Sequence, residues 1–290
     1  MKGEFIAVDW GTTNRRCYLI DAAGAVVETE QDDRGVLAVG PDGFAPEAAA
    51  LRARYGGRPM LMAGMVGSNR GWREVPYVSC PATLGDLARA ALWVLPGEVA
   101  IVPGVSDAAE GRADVMRGEE VQLLGAVAAG MVPGDALLCQ PGTHCKWAWM
   151  EEGRLARFTT TMTGELFALL RQHSLLAAQL AGPVSADSDF FAGVEMARRG
   201  DLLASLFGVR AAAVLGRAGD RGASFVSGLL IGTDVAARPD VMGGDVYQLA
   251  DPALGALYGA AIEACGGRPT RVDSHAAFVA GIIEIWRMLR

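Results

Sequence analysis

Asp9-Trp10-Gly11-Thr12-Thr13-Asn14 decides the reading of this chain. It ends a short apolar run, Phe5 to Val8, and a second run, Cys17 to Ile20, follows it. Ala22-Ala23-Gly24 then turns into Ala25-Val26-Val27. Apolar runs joined by Gly, Thr and Asn predict a β-meander. The pattern returns after Pro133-Gly134: Ala136 to Cys139 is a strand, Gln140-Pro141-Gly142-Thr143-His144 a turn, and Trp147 to Met150 a second strand. Glu152-Gly153 turns into a third. Placing Gly11 on Gly142 brings Thr12 onto Thr143, Arg15 onto Lys146 and Tyr18 onto Trp149. The match extends to the whole strand–turn–strand layout, so it reads as an internal repeat. Two domains of similar topology facing a central cleft follow, residues 1–132 and 133–290.

Between and after the meanders the pattern is mixed. Apolar spacing predicts helices over 44–55, 84–94 and 118–131 in the first half. Strands are expected at 59–63 and 99–102, and a Gly-rich loop at 64–76. The second half is helix-rich, with helices over 164–172, 190–199, 202–215, 225–236, 252–265 and 276–289 and a strand at 246–249. Strands followed by helices in each half give an α/β class.

Composition bounds the function. The chain has 290 residues, 51% of them hydrophobic and 20% charged, enough apolar material for a large core and against disorder. The net charge of −7 argues against nucleic acid as a bulk partner, because phosphate contacts demand basic surface. No apolar stretch is long enough for a bilayer span and the N-terminus does not read as a signal peptide. Five scattered cysteines fit free thiols in a reducing cytoplasm. Cys139, His144 and Cys145 match no zinc spacing. Neither a P-loop nor a nicotinamide fingerprint occurs.

Turns of Gly, Thr and Asn can offer backbone N–H groups and hydroxyls to an anion. Gly11, Thr12, Thr13 and Asn14, with Gly142, Thr143, His144 and Lys146, are therefore candidate phosphate contacts. His144 could equally shape its turn. Asp9, at a strand end, is an oxygen ligand suited to Mg²⁺, which binds through one or two carboxylates and phosphates.

The two turns resemble the phosphate motifs of the actin-like ATPase (ribonuclease H-like) and sugar kinase superfamily. Met62 to Asn69 with Gly71-Trp72, Asp114 to Glu120, Met162 to Leu166 and Ser227 to Gly232 are more specific. In that order they resemble the 2-dehydro-3-deoxygalactonokinase family along essentially the whole chain. The resemblance implies transfer of the ATP γ-phosphoryl group to the 6-hydroxyl of 2-dehydro-3-deoxy-D-galactonate, in galactonate degradation. The alternatives are a kinase of the same fold on another sugar or 2-keto-3-deoxy acid, and a non-catalytic actin-like nucleotide switch. ATP, Mg²⁺ and a sugar acid would be the partners, and a homodimer is left open.

Phosphoryl transfer needs a carboxylate to receive the hydroxyl proton. Superfamily members resemble one another in an acidic residue that opens a helix; here Asp114, Glu119 and Glu120 are the candidates, with Glu119 the first choice and Glu120 the second. Either could instead only cap the helix, whose N-terminus favours negative charge. Ser68, Asn69 and Trp72 are expected to line the sugar pocket, with Arg117 on substrate or phosphate because its fork suits a carboxylate. Gly228 and Gly232 resemble the place that holds adenosine, where a missing side chain would admit the purine. Helix packing is the competing reading for both.

Overall fold

The computed structural model describes residues 3–108, 111–217 and 222–289. The chain opens with the expected meander: β1 (Phe5–Trp10), β2 (Arg15–Ile20) and β3 (Val26–Asp32). Then come α1 (Phe44–Arg54), β4 (Met60–Gly64), the short β5 (Val78–Ser79), α2 (Leu84–Ala90), β6 (Leu92–Leu95) and β7 (Val99–Ile101). β8 (Val105–Asp107), β9 (Asp114–Met116) and α3 (Glu119–Ala128) complete the first stretch. The second meander is β10 (Ala136–Gln140), β11 (Cys145–Glu151) and β12 (Arg154–Thr161). It is followed by α4 (Thr163–His173), α5 (Ser188–Ala197), α6 (Leu202–Val214) and α7 (Ala223–Ala236). β13 (Asp245–Leu249), α8 (Pro252–Ala264), β14 (Arg268–Val272) and α9 (Ser274–Met288) end the chain.

The larger sheet has the order β3-β2-β1-β4-β7-β6. β1 pairs antiparallel with β2 and parallel with β4, which pairs parallel with β7. The second sheet, β12-β11-β10-β13-β14, repeats the first five places of that order, again with parallel pairs after the meander. This is the duplicated α/β arrangement expected of the actin-like ATPase fold. β1 is buried on both faces, as a central strand must be, while the edge strand β3 is acidic and largely exposed.

Two compact units result. The first holds Met1–Asp135, Met150–Phe158 and Ser274–Arg290; the second holds Ala136–Trp149 and Thr159–Asp273. The division differs from a single cut after residue 132. The second meander's tip, 150–158, joins the first unit, where Ala82 and Leu155 exchange backbone hydrogen bonds. The last helix does so too. A Cβ on Gly125 of α3 would stand 2.1 Å from the Ala277 carbonyl oxygen, and one on Gly281 of α9 would stand 2.2 Å from that of Val121. Reciprocal glycines let the two helix backbones touch. Phe278, Ile282, Ile285 and Trp286 are thereby buried.

Two local expectations also change. The helix expected over 84–94 stops at Ala90, and Ala91 takes an extended conformation. Leu92 to Leu95 instead form an edge strand antiparallel to β7, which suits their bulky and β-branched side chains. The polar stretch between β7 and α3 holds two short strands, β8 and β9, which join β5 in a small sheet.

Candidate functional site

In the first unit, the turn after β1 is tied to the loop at 34–37. Gly11 N–H donates to the Asn14 carbonyl oxygen at 2.9 Å. Val36 N–H reaches Gly11 O, Leu37 N–H reaches Thr12 O, and Gly35 N–H reaches Thr13 O. Gly35 has no room for a side chain, since its Cβ would lie 2.4 Å from Thr12 O. The turn's carbonyls are thus occupied by protein donors and do not confront an incoming anion. Thr12, Thr13 and Asn14 remain exposed. With Asp9, Gly11, Arg15, Arg16 and Gln31 they line a polar pocket of about 510 Å³.

Two glycines bring the acidic groups to this end of the sheet. Gly64 ends β4 at φ 95, and its Cβ would lie 2.8 Å from Trp10 O. Gly118, at φ 107, precedes α3, and its Cβ would lie 3.1 Å from Gly64 Cα. Both use the left-handed region that glycine tolerates. Hence α3 begins against the end of β1, and Glu119 and Asp9 sense each other's charge. Burial pushes the Asp9 carboxyl up to about 6; Arg16 opposes the rise and Glu119 adds to it. Arg16 is the cross-strand partner of Asp9, and its guanidinium donates to Gln31 and meets His275 Nδ1, both at 2.6 Å.

The two glutamates separate clearly. Glu120 is fully buried, and both of its carboxylate oxygens accept from Gly118 N–H, at 2.9 and 2.7 Å. Burial, and then the Glu119 charge, push it up to about 8, against the pull of that N–H. Glu119 is half-buried and accepts from Arg117 N–H at 3.1 Å.

The residues expected around the sugar lie in or under the loop after β4. Asn69 is exposed. Ser68 is buried and donates to Met65 O at 2.7 Å, and Trp72 is half-buried against the first unit's core. Arg117, expected on substrate or phosphate, is held from within the protein. It is 8% exposed, donates to Val75 O at 2.8 Å and lies over the Tyr77 ring at 4.3 Å. From there its guanidinium braces the loop rather than facing solvent.

In the second unit, the turn after β10 is held by the start of α4. Glu165 N–H donates to Thr143 O at 2.9 Å, and Glu165 Oε2 meets His144 Nε2 at 2.6 Å. A Cβ on Gly164 would lie 2.4 Å from Gly142 O, the same tight cover that Gly35 provides in the first unit. Thr143 and His144 are exposed, whereas Lys146 is buried in β11 at 4% exposure. Its counterpart Arg15 is also buried, paired with Asp32 and Glu47.

Beside this turn is a mainly apolar pocket of about 500 Å³. Gly142, Thr163 and Gly164 form one side; Ser227, Leu230 and Ile231 of α7 and Leu254, Leu257 and Tyr258 of α8 form others. Its apolar lining suits a small ligand with a flat apolar part. Gly228 and Gly232, expected beside adenosine, are not among the residues lining it. A Cβ on Gly228 would stand 2.0 Å from Phe190 O, and one on Gly232 2.8 Å from Val194 Cα. Both serve the crossing of α7 over α5. Tyr258 carries no signal in the sequence that marks it for a site. Thr163, Gly164 and Ser227 fall in the family-like blocks Met162 to Leu166 and Ser227 to Gly232, which assign them no role.

Among the described residues, no group of three or more His, Cys, Asp or Glu side chains could hold a metal alone, and no helix is long and apolar enough to cross a membrane.

Comparison with known proteins gives one consistent result. A model of the 2-keto-3-deoxy-galactonokinase family matches residues 9–285. The 2-dehydro-3-deoxygalactonokinase of Escherichia coli (strain K12) is 38% identical over 293 residues, covering 98% of each chain. A protein of Rhizobium meliloti (strain 1021) named a probable 2-dehydro-3-deoxygalactonokinase is 35% identical, over 97% of this chain and 95% of that one. The crystal structure of a candidate 2-dehydro-3-deoxygalactonokinase from Sinorhizobium meliloti matches with a TM-score of 0.89 at 34% identity, covering 98% of both chains.

Proposed function

The chain belongs to the 2-keto-3-deoxy-galactonokinase family and is thus an ATP-using sugar kinase, and we propose that it phosphorylates the 6-hydroxyl of 2-dehydro-3-deoxy-D-galactonate. The near full-length match to proteins of that name carries this reading.

The second unit takes the nucleoside in the pocket lined by Gly142, Thr163, Leu230, Leu254 and Tyr258. The exposed Thr143 and His144 of the turn beside it meet phosphate. In the first unit, Gly11, Thr12, Thr13 and Asn14 meet the transferring phosphoryl group. Asn69 and the loop braced by Arg117 receive the sugar acid. Glu119 is the base: it is the less enclosed of the two glutamates, whereas both Glu120 oxygens are engaged by Gly118 N–H. The substrate hydroxyl oxygen attacks the γ-phosphorus, the bond to the bridging oxygen of ADP breaks, and Glu119 receives the hydroxyl proton.

Asp9 fits Mg²⁺. It is half-buried, burial and the Glu119 charge push its carboxyl up, and among the described residues it belongs to no group of three or more metal-ligating side chains. That is a site for a cation held by one carboxylate together with nucleotide phosphates and water. When bound, the cation would offset phosphate charge.

A coupled assay of ATP consumption tests the reading. Turnover with 2-dehydro-3-deoxygalactonate should far exceed that with its gluconate epimer and with simple aldoses. Preference for the epimer would change the assigned substrate. An ATPase rate indifferent to every sugar acid would favour a nucleotide switch.

A further inference from the structure

One charge in the second unit is absent from the mechanism above. Asp234 sits in the last turn of α7, a helix whose other residues are apolar, small or hydroxyl-bearing. Its side chain is 2% exposed. Oδ2 accepts from Thr161 Oγ1 at 2.8 Å, Thr163 Oγ1 at 2.9 Å and Tyr258 hydroxyl at 3.0 Å. Oδ1 accepts from Trp147 Nε1 at 3.0 Å, and the Arg238 guanidinium stands 3.6 Å away. One carboxylate therefore gathers β11, β12, the first residue of α4, and α8.

Two of those donors, Thr163 and Tyr258, line the apolar pocket. Thr163 also carries Gly164, which presses on Gly142 and Thr143 of the turn. A buried carboxylate must keep its donors, because an unmet acceptor in a dry interior is costly. That requirement directs the Thr163 and Tyr258 hydroxyl protons away from the pocket and fixes both side chains. We infer that Asp234 is a positioning residue for nucleotide: it holds Thr163 and Tyr258 in the pocket floor and, through Gly164, sets the turn beside it. The inference rests on the nucleoside occupying this pocket.

Asp234→Asn keeps the shape but replaces one acceptor by a donor, so the hydroxyls must reorient. Tyr258→Phe and Thr163→Val each delete one donor at nearly constant volume. Steady-state kinetics and calorimetric titration with ADP read the result. ADP affinity and the KM for ATP should weaken about tenfold or more in Asp234→Asn and about three- to tenfold in each single-donor variant. The KM for the sugar acid should stay within about twofold. Adding Tyr258→Phe to Asp234→Asn should cost little more, because Tyr258 acts through the same carboxylate.

Unchanged ADP affinity in folded Asp234→Asn overturns the inference, as does a parallel loss for both substrates that follows the folded fraction. Should Asp234→Asn fail to fold, normal ADP affinity in both Tyr258→Phe and Thr163→Val overturns it. Leu254→Trp at the pocket rim separates the premise from the inference. If it leaves ADP binding intact, the nucleoside lies elsewhere and the premise fails. If it weakens ADP while the Asp234, Thr163 and Tyr258 variants bind normally, only the positioning role fails.

Discussion

Glu119 and Glu120 are adjacent in sequence, yet their surroundings set different chemistry. With Glu119 half-buried beside Asp9 and Glu120 enclosed under Gly118, replacement of each should read differently. Glu119→Gln should lower kcat by roughly 10²–10⁴-fold, the usual contribution of a general base, with little change in the KM for ATP. Near-normal turnover in the coupled assay would remove Glu119 from the base role. Glu120 predicts a pH effect on stability. Its folded-state pKa, about 8, lies above its ordinary 4.5, so the folded protein holds the proton more tightly. The stability it contributes is fully present below about 4.5 and is lost as pH rises through about 8. Glu120→Gln should therefore melt above the wild type at pH 8.5, by on the order of 5 °C, with the gap closing toward pH 4.5. Parallel melting curves across that range would refute the assignment.

At the level of elements, glycine decides where helices can lie. Gly125 and Gly281 let α3 and α9 meet backbone to backbone, and Gly193, Gly228 and Gly232 do the same for α5 and α7. A methyl at Gly125 would run into the Ala277 carbonyl and the Gly281 backbone, neither of which is a flexible side-chain end. Gly125→Ala should cost about 1–3 kcal/mol as overpacking. In a unit of this size that lowers the melting temperature by about 2–12 °C. Because α3 also carries Glu119, kcat should fall with it; a stable, fully active Gly125→Ala enzyme would contradict this packing. The same periodicity that marks α7 as a helix left its glycines ambiguous. Small residues suit a ligand and a helix crossing equally, and only the nearby Phe190 and Val194 backbones distinguish them.

For the whole molecule, the repeated meander and the chain's last helix have different consequences. α9 is distant in sequence from β1, yet it buries Phe278, Ile282, Ile285 and Trp286 in the first unit. At about 1.5–3 kcal/mol per large side chain, those four approach the whole stability of a domain. A chain ending at residue 273 should lose cooperative folding of the first unit, seen as fast hydrogen exchange in β1, β4 and α3. Retained protection there would show that α9 is dispensable. The α/β class, both turns and the acidic start of α3 were legible in the sequence alone. They rest on local physics: alternation and turn chemistry for strands, apolar spacing for helices, and glycine where the chain must bend. The tertiary structure alone decided that α9 returns to the first unit, that Glu120 is sealed and Glu119 is not, and that Arg117 braces a loop. It also tied Thr163 and Tyr258, which line one pocket, to the buried Asp234 carboxylate. Those outcomes depend on which distant backbone or carboxylate lies within a few ångströms, and sequence spacing does not encode such distances.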